Sequence, residues 1–320
     1  MDRPRAVAEL RRALRDFLHE HEIPSGPWCV ALSGGADSLA LTAVAAALRP
    51  TTALIVDHRL QPDSAAVAEA ARRHALSLGC VAAQVIPVEV GDAGGPEAAA
   101  RAARYAALRD ARGGAPVLLA HTLDDQAETV LLGLGRGSGA RSLAGMRPVD
   151  PPWLRPLLRV RRATTRAACH ELGLRPWFDP HNADPRFVRA RLRGEVLPLL
   201  EQVLGGGVAA ALARTADALR DDNDALDTWA RRALAEADRG DGLAVEPLAG
   251  LPAAVRRRVL RAWLLAGGAA GLTEVQLRAV ERLVTAWHGQ GPVAVPSPLH
   301  RQRLFAGRRD GRLRLFTEPV

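Results

Sequence analysis

Apolar and polar positions follow two alternating rhythms along the first 135 residues. Short apolar runs at 28–32, 52–56, 81–90 and 116–120 read as strands, the first two of them buried. Between them, apolar residues recur at three- and four-residue spacing, which predicts helices over 37–48, 64–78, 96–112 and 124–134. Strand and helix in alternation imply a parallel sheet covered on both faces, with right-handed crossovers. Before this region, Val7, Leu10, Leu14, Phe17 and Leu18 share one side of a charged first helix within 1–22. After it, Gly205, Gly206 and Gly207 break the pattern and read as a boundary. Helices are expected at 208–237, 251–266 and 273–287, then short strands at 293–295, 301–305 and 312–316. Trp229, Trp263 and Trp287 fall at helical positions and are expected in the core. The fold class is a doubly wound α/β sheet with a helical appendage, over 1–205, followed by a smaller α+β domain, over 206–320.

In such sheets ligands sit at the carboxyl ends of the strands. Three polar clusters fall there: Ser33 to Ser38, Asp57-His58, and His121 to Glu128. The first, Ser33-Gly34-Gly35-Ala36-Asp37-Ser38, joins a strand to a helix. Paired glycines and a helix N-terminus suit a phosphate. A Walker A loop is excluded, because the chain has no Lys; all 43 of its basic residues are Arg. No G-x-G-x-x-G occurs here either. In the third cluster, Thr122 and Asp125 have the spacing of a helix cap with an acid three residues on. Capping does not account for His121, Asp124, Asp125 and Glu128 together. Asp125 and Glu128 lie one turn apart and can face one ligand, either Mg²⁺ or a cationic substrate.

Composition adds a partner. A net charge of +8 asks for a polyanion, most plausibly nucleic acid. Arg186, Arg189 and Arg193 would share a stripe on a helix, suited to phosphates. Residues 301–314 hold six Arg against one Asp, a second edge for RNA. The Gly- and Arg-rich stretch 133–148 reads as a mobile loop over the site. Cys29, Cys80 and Cys169 stand alone in apolar contexts, without C-x-x-C, which fits a reducing cytoplasm and argues against a zinc ribbon or cluster. No run of about 18 apolar residues occurs, so no membrane span is expected.

Several stretches, in order, resemble one family. Ser33 to Ser38 resembles the S-G-G-x-D-S loop of PP-loop ATP pyrophosphatases, whose fold is Rossmann-like. His121-Thr122-Leu123-Asp124-Asp125-Gln126-Ala127-Glu128-Thr129 resembles a motif of the tRNA(Ile)-lysidine synthases, a branch of that superfamily. Val56-Asp57-His58-Arg59-Leu60, Ala100-Arg101-Ala102-Ala103-Arg104-Tyr105, Arg136-Gly137-Ser138-Gly139, Leu143-Ala144-Gly145-Met146 and Arg155-Pro156-Leu157-Leu158 are similar to its other motifs. Ser142 stands where the family tends to have Gly, and Ala190 where Asn is common.

The resemblance implies a ligase that adenylates the wobble cytidine of tRNA(Ile) with a CAU anticodon and then joins free L-lysine to it. It implies ATP held by Ser33, Gly34, Gly35, Ala36, Asp37 and Ser38, with Asp57 and His58 beside them. Asp37 would place Mg²⁺. Asp125 and Glu128 would take the lysine ammonium groups, and Arg101 its carboxylate or a phosphate, unless Arg101 is an ion-pair anchor. Asp37, Asp125, Glu128 and His121 form the catalytic set, His121 as an orienting or a structural residue. Arg136, Arg186, Arg189 and Arg193 would contact tRNA. A homodimer stays open. The alternatives are another PP-loop tRNA modifier, such as a thiolase, and an RNA-binding protein that keeps an ATP fold without catalysis.

Overall fold

The computed structural model describes residues 5–59, 63–91, 95–137, 139–180, 184–298 and 301–319. Leu60, Ser138, His181, Asn182 and Ala183, the first two from the motifs above and the others from a turn cluster before Arg186, lie outside the described residues. The chain forms two compact units, Met1–Ala218 and Leu219–Val320.

In the first unit the order is α1 (Arg5–Glu20), β1 (Trp28–Ala31), α2 (Ala36–Ala46), β2 (Thr51–Asp57), α3 (Ser64–Ser77), β3 (Ala82–Pro87), α4 (Pro96–Ala111), β4 (Val117–Leu118), α5 (Leu123–Gly135) and a short α6 (Ala140–Leu143). Then come β5 (Val149–Asp150), β6 (Trp153–Leu154), α7 (Arg162–Glu171), α8 (Val188–Arg191), a π-helical turn (Leu192–Val196), α9 (Leu197–Val203) and α10 (Val208–Ala237). The division between the two units falls inside α10.

The sheet runs β3-β2-β1-β4-β6-β5. All its pairings are parallel except β5 with β6. Neighbouring residues of β1 point to opposite faces, and each face is covered. Val30 packs with Leu10, Leu14, Leu39 and Leu41, whereas Cys29 packs with Leu108, Val117 and Trp153. The chain fills one side of β1 with β2 and β3, then returns to the other side with β4. The crevice between β1 and β4 is therefore the switch point where such sheets bind ligands. The antiparallel β5–β6 edge and α7 are absent from the sequence expectations. Strands of two residues are too short to show a period.

The 133–148 stretch is tied down at two points. Gln126 donates to Met146 O (2.9 Å) and accepts from Met146 N–H (2.7 Å). At Gly133, a Cβ would lie 2.3 Å from the Ser142 carbonyl oxygen, so only Gly lets α6 approach α5. Gly133→Ala should therefore destabilise despite the better helix propensity of Ala. Overpacking of about 1–3 kcal/mol would lower the thermal midpoint by roughly 2–12 °C. A melt at or above the wild-type midpoint would contradict the close approach.

The second unit carries a four-stranded antiparallel sheet, ordered β7 (Leu243–Ala244), β10 (Arg312–Pro319), β9 (Gln302–Arg309), β8 (Val293–Val295). Its core joins Leu243, Leu248, Leu260, Leu283 and Leu304, drawn from the sheet, α11 (Val245–Ala249), α12 (Ala253–Ala266) and α13 (Glu274–Thr285). The tryptophan expectation needs correction. Trp263 packs on this core, but Trp229 is 48% and Trp287 38% exposed. Trp287 lies beyond the end of α13, and the Arg308 guanidinium sits over its ring at 5.4 Å.

Candidate active site

The phosphate-type loop grows directly out of β1. Leu32 N–H donates to Leu54 O (2.9 Å), extending the strand pairing to the loop. Gly34 turns the chain at φ +82°, a conformation that favours glycine. The Ser38 hydroxyl closes the turn: it donates to Gly35 O (2.9 Å) and accepts from Ser33 N–H (3.2 Å). From behind, Trp177 N–H donates to Gly34 O (2.9 Å), and the Cys169 thiol donates to Ala36 O (3.3 Å). Gly35 is the N-cap of α2 and offers no side chain to its first-turn amides. A helix start without a side-chain cap, aimed into the crevice, suits an anion.

Across the crevice, α5 opens with a full capping box. Thr122 Oγ1 accepts from Asp125 N–H (3.4 Å), and Asp125 Oδ2 accepts from Thr122 N–H and Oγ1–H, both at 2.7 Å. Asp124 turns the other way. Its Oδ2 accepts the Arg162 N–H (2.8 Å) and so caps α7, while its Oδ1 lies 3.2 Å from Arg161. Asp124 is thus a joint between two helices.

Arg162 is the residue the sequence did not reveal. Its side chain is 11% exposed and its guanidinium reaches three carboxylates: Asp125 Oδ1 at 2.5 Å, Glu128 Oε1 at 3.2 Å and Asp37 Oδ2 at 3.5 Å. One turn on, the Thr165 hydroxyl contacts both Asp37 Oδ1 and Arg162 O. Arg193 completes the cluster with a bidentate pair, Nε to Glu128 Oε1 (2.8 Å) and Nη2 to Glu128 Oε2 (3.2 Å). Glu128 itself is 0% exposed. The first turn of α7 therefore links the loop acid Asp37 to the α5 acids Asp125 and Glu128. An apolar spacing of Thr165, Ala168 and Cys169 was the available signal for α7. Nothing in the sequence marks an inward-facing arginine.

Electrostatics separates these acids. Burial pushes the Asp37 carboxyl above the usual range, and the nearby Asp125 charge adds to the rise; Thr165 and Arg162 offset it only in part. Burial acts on Asp125 in the same direction, but the Arg162 guanidinium and the Thr122 donors hold it below its ordinary value. Burial also drives His121 down to about 3, against the pull of Asp125 and with Arg155, Arg101 and Arg104 adding to the fall. His121 is hence a neutral imidazole at neutral pH, so it can orient a ligand but has no proton to give as an acid. Its assigned ring proton should stay flat in an NMR titration from pH 5 to pH 8.5 by roughly this reasoning. A midpoint near the ordinary histidine value would contradict the burial.

The remaining expected residues divide between this site and the surface. Asp57 and His58 end β2 beside the loop; the Asp57 carboxylate accepts from Arg59 N–H (3.0 Å), and burial lowers the His58 pKa. The buried Nδ1 atoms of His58 and His121 have no hydrogen-bond partner among the described residues. Arg101 is exposed, donates to the Tyr105 hydroxyl (3.1 Å) and stacks over its ring (4.7 Å). Arg136 caps the end of α5 and is exposed. The arginine stripe does not form as expected. Arg186 precedes α8 and pairs with Asp184 (2.7 Å), Arg189 lies on α8, and the π turn points Arg193 at Glu128. Arg186 lies ahead of the helix start, so the 100° spacing on which the stripe rests does not extend to it. Cys29, Cys80 and Cys169 are buried thiols whose pKa values burial pushes up, to about 11 for the last two.

Strand, glycine turn, uncapped helix and facing acids define a PP-loop ATP-binding unit, and the PP-loop domain family model matches residues 7–200. A second model, described as the TilS substrate binding domain, matches residues 243–313. The chain is 70% identical to the tRNA(Ile)-lysidine synthase of Mycolicibacterium paratuberculosis over 100% of both chains. It is 66% identical to that of Mycobacterium leprae, again over 100% of both. Among solved structures, the U34-tRNA thiolase NcsA from Methanococcus maripaludis shares the fold at a TM-score of 0.54 and 17% identity, over 67% of this chain and 79% of that one. The chain belongs to the tRNA(Ile)-lysidine synthase family.

Proposed function

We propose that the protein joins free L-lysine to C2 of the wobble cytidine of tRNA(Ile) bearing CAU, spending ATP to AMP and pyrophosphate. The observation that carries this reading is the α7 bridge, which sets a phosphate-type loop and a pair of acids on one crevice. In the first step, cytidine O2 attacks the α-phosphorus of ATP and pyrophosphate leaves. The α2 amides and the Ser33 hydroxyl would hold the departing charge, on a turn that the Ser38 hydroxyl closes. Asp37 suits Mg²⁺, because that ion takes one or two carboxylates and leaves its other positions to phosphates and water. When bound, Mg²⁺ would neutralise charge on the pyrophosphate.

In the second step the lysine ε-nitrogen, its proton passed to water or a carboxylate, attacks C2, the C2–O2 bond breaks, and AMP leaves with the former O2. Asp125 and Glu128 are the proposed seats for lysine ammonium charge. Arg101 stays a candidate for its carboxylate, and neutral His121 an orienting group. Arg136, Arg186 and Arg189 are proposed tRNA contacts, together with residues 206–320, whose TilS match supports substrate binding. The protein would work in the cytoplasm, where tRNA is modified; no single described helix is long and apolar enough to cross a membrane.

The thiolase alternative is disfavoured, since its chemistry usually needs accessible cysteines and all three here are buried. The test is whether AMP, and pyrophosphate beyond a first burst, accumulate only with tRNA and lysine both present. Salt-sensitive tRNA binding without pyrophosphate would instead support an RNA-binding protein without catalysis.

A further inference from the structure

The two guanidiniums in the acid cluster are held in different ways. Arg162 is locked: its main chain is capped by Asp124, its side chain is 11% exposed, and it spans three carboxylates. Arg193 is 30% exposed, rides on the π turn, and among the described residues hydrogen-bonds to Glu128, with Asp125 Oδ1 at 3.6 Å. Between them they engage both Glu128 oxygens and Asp125 Oδ1, and the capping box takes Asp125 Oδ2. An arriving ammonium group finds every one of these oxygens already bonded to a donor. Charge leads to the same point. With Asp37 given to Mg²⁺, Asp125 and Glu128 are already matched by two guanidiniums, and a third cation on that pair would crowd both arginines. One arginine has to yield, and Arg193 is the more exposed and has fewer contacts to break. Its segment also carries Arg186 and Arg189, the proposed RNA contacts.

We propose that Arg193 is a tethered competitor for the substrate ammonium at Glu128, and that RNA phosphates draw it away. The lysine site then opens when tRNA is bound. This rests on the reading of Asp125 and Glu128 as the ammonium seats. It predicts an effect opposite to that of an ordinary binding residue: removing Arg193 strengthens lysine binding.

The experiment is calorimetric titration of L-lysine into the full chain, with Mg²⁺ and α,β-methylene ATP in every arm so that no chemistry proceeds. Without tRNA, Arg193→Gln should bind lysine at least about fivefold more tightly than wild type. Adding tRNA(Ile) with CAU should tighten binding to wild type but change Arg193→Gln by less than about twofold. Arg193→Ala guards against an effect peculiar to Gln and should behave alike. Weaker or unchanged lysine binding in both variants overturns the proposal. Glu128→Gln, measured well below its melting midpoint, keeps the two claims apart. Loss of lysine binding there upholds the ammonium seat. Wild-type lysine binding there overturns that seat, and with it the ground for the competitor.

Discussion

Asp37→Asn should stop pyrophosphate release while leaving the protein folded. The substitution keeps the shape of the side chain and an oxygen for the Thr165 hydroxyl, but removes the charge beside the loop. A loss of at least about 100-fold is expected, the scale of removing one electrostatic stabiliser of a transition state. Stability should not fall. Burial raises the folded-state pKa of Asp37, so its ionised form weakens the fold at any pH above the unfolded value. Neutralising it relieves that cost. Binding of a non-cleavable ATP analogue should change far less than the rate, because the α2 amides remain. Pyrophosphate release within tenfold of wild type, read by coupled assay, would remove Asp37 from the chemistry by roughly the same reasoning.

Glu128→Gln should act on the other half-reaction and on the fold together. Glu128 is fully buried and takes bonds from both Arg162 and Arg193. Removing its charge leaves two guanidiniums facing a neutral amide. Breaking a buried ion pair from one side costs about 3–5 kcal/mol. For a unit of this size that is a drop of roughly 6–20 °C in thermal midpoint. At a temperature where the variant is folded, the lysine concentration for half-maximal rate should rise about 10- to 150-fold, the equivalent of one charged hydrogen bond. The first pyrophosphate burst should persist, because the loop and Asp37 are untouched. An unchanged lysine requirement would move the ammonium site elsewhere.

The sequence made the first half of this site legible because its chemistry is local. Ser33 to Ser38 is contiguous, and Asp125 and Glu128 lie on one helix at a spacing that fixes their common face. The capping role of Thr122 and Asp125 was equally readable, since a box needs only four residues. The second half depends on tertiary packing. Arg162 and Thr165 reach Asp37 from a helix more than 120 residues away in sequence, and Asp124, which reads as a site acid, turns out to cap that helix. An Arg is ordinarily read as a surface charge, so its inward aim at three carboxylates leaves no trace in the sequence pattern. Arg193 shows the same limit in another form. An α-helical count places it with Arg186 and Arg189, but Arg186 lies ahead of the helix and Arg193 reaches Glu128. In the fold, the long strands and helices showed their periods, and two-residue β4 was legible only because it lies in the apolar run 116–120; β5, β6 and β7 lie in no such run.

The account stands or falls on what happens to one nucleoside. Purified protein, ATP, Mg²⁺, isotopically labelled lysine and tRNA(Ile) with CAU are incubated, and the wobble nucleoside is isolated for mass analysis. The expected product is cytidine plus one labelled lysine less one water, formed with pyrophosphate and absent when lysine is withheld. Pyrophosphate release with an unlabelled wobble nucleoside would contradict the lysine assignment, and an unmodified cytidine with no pyrophosphate would contradict the reaction itself.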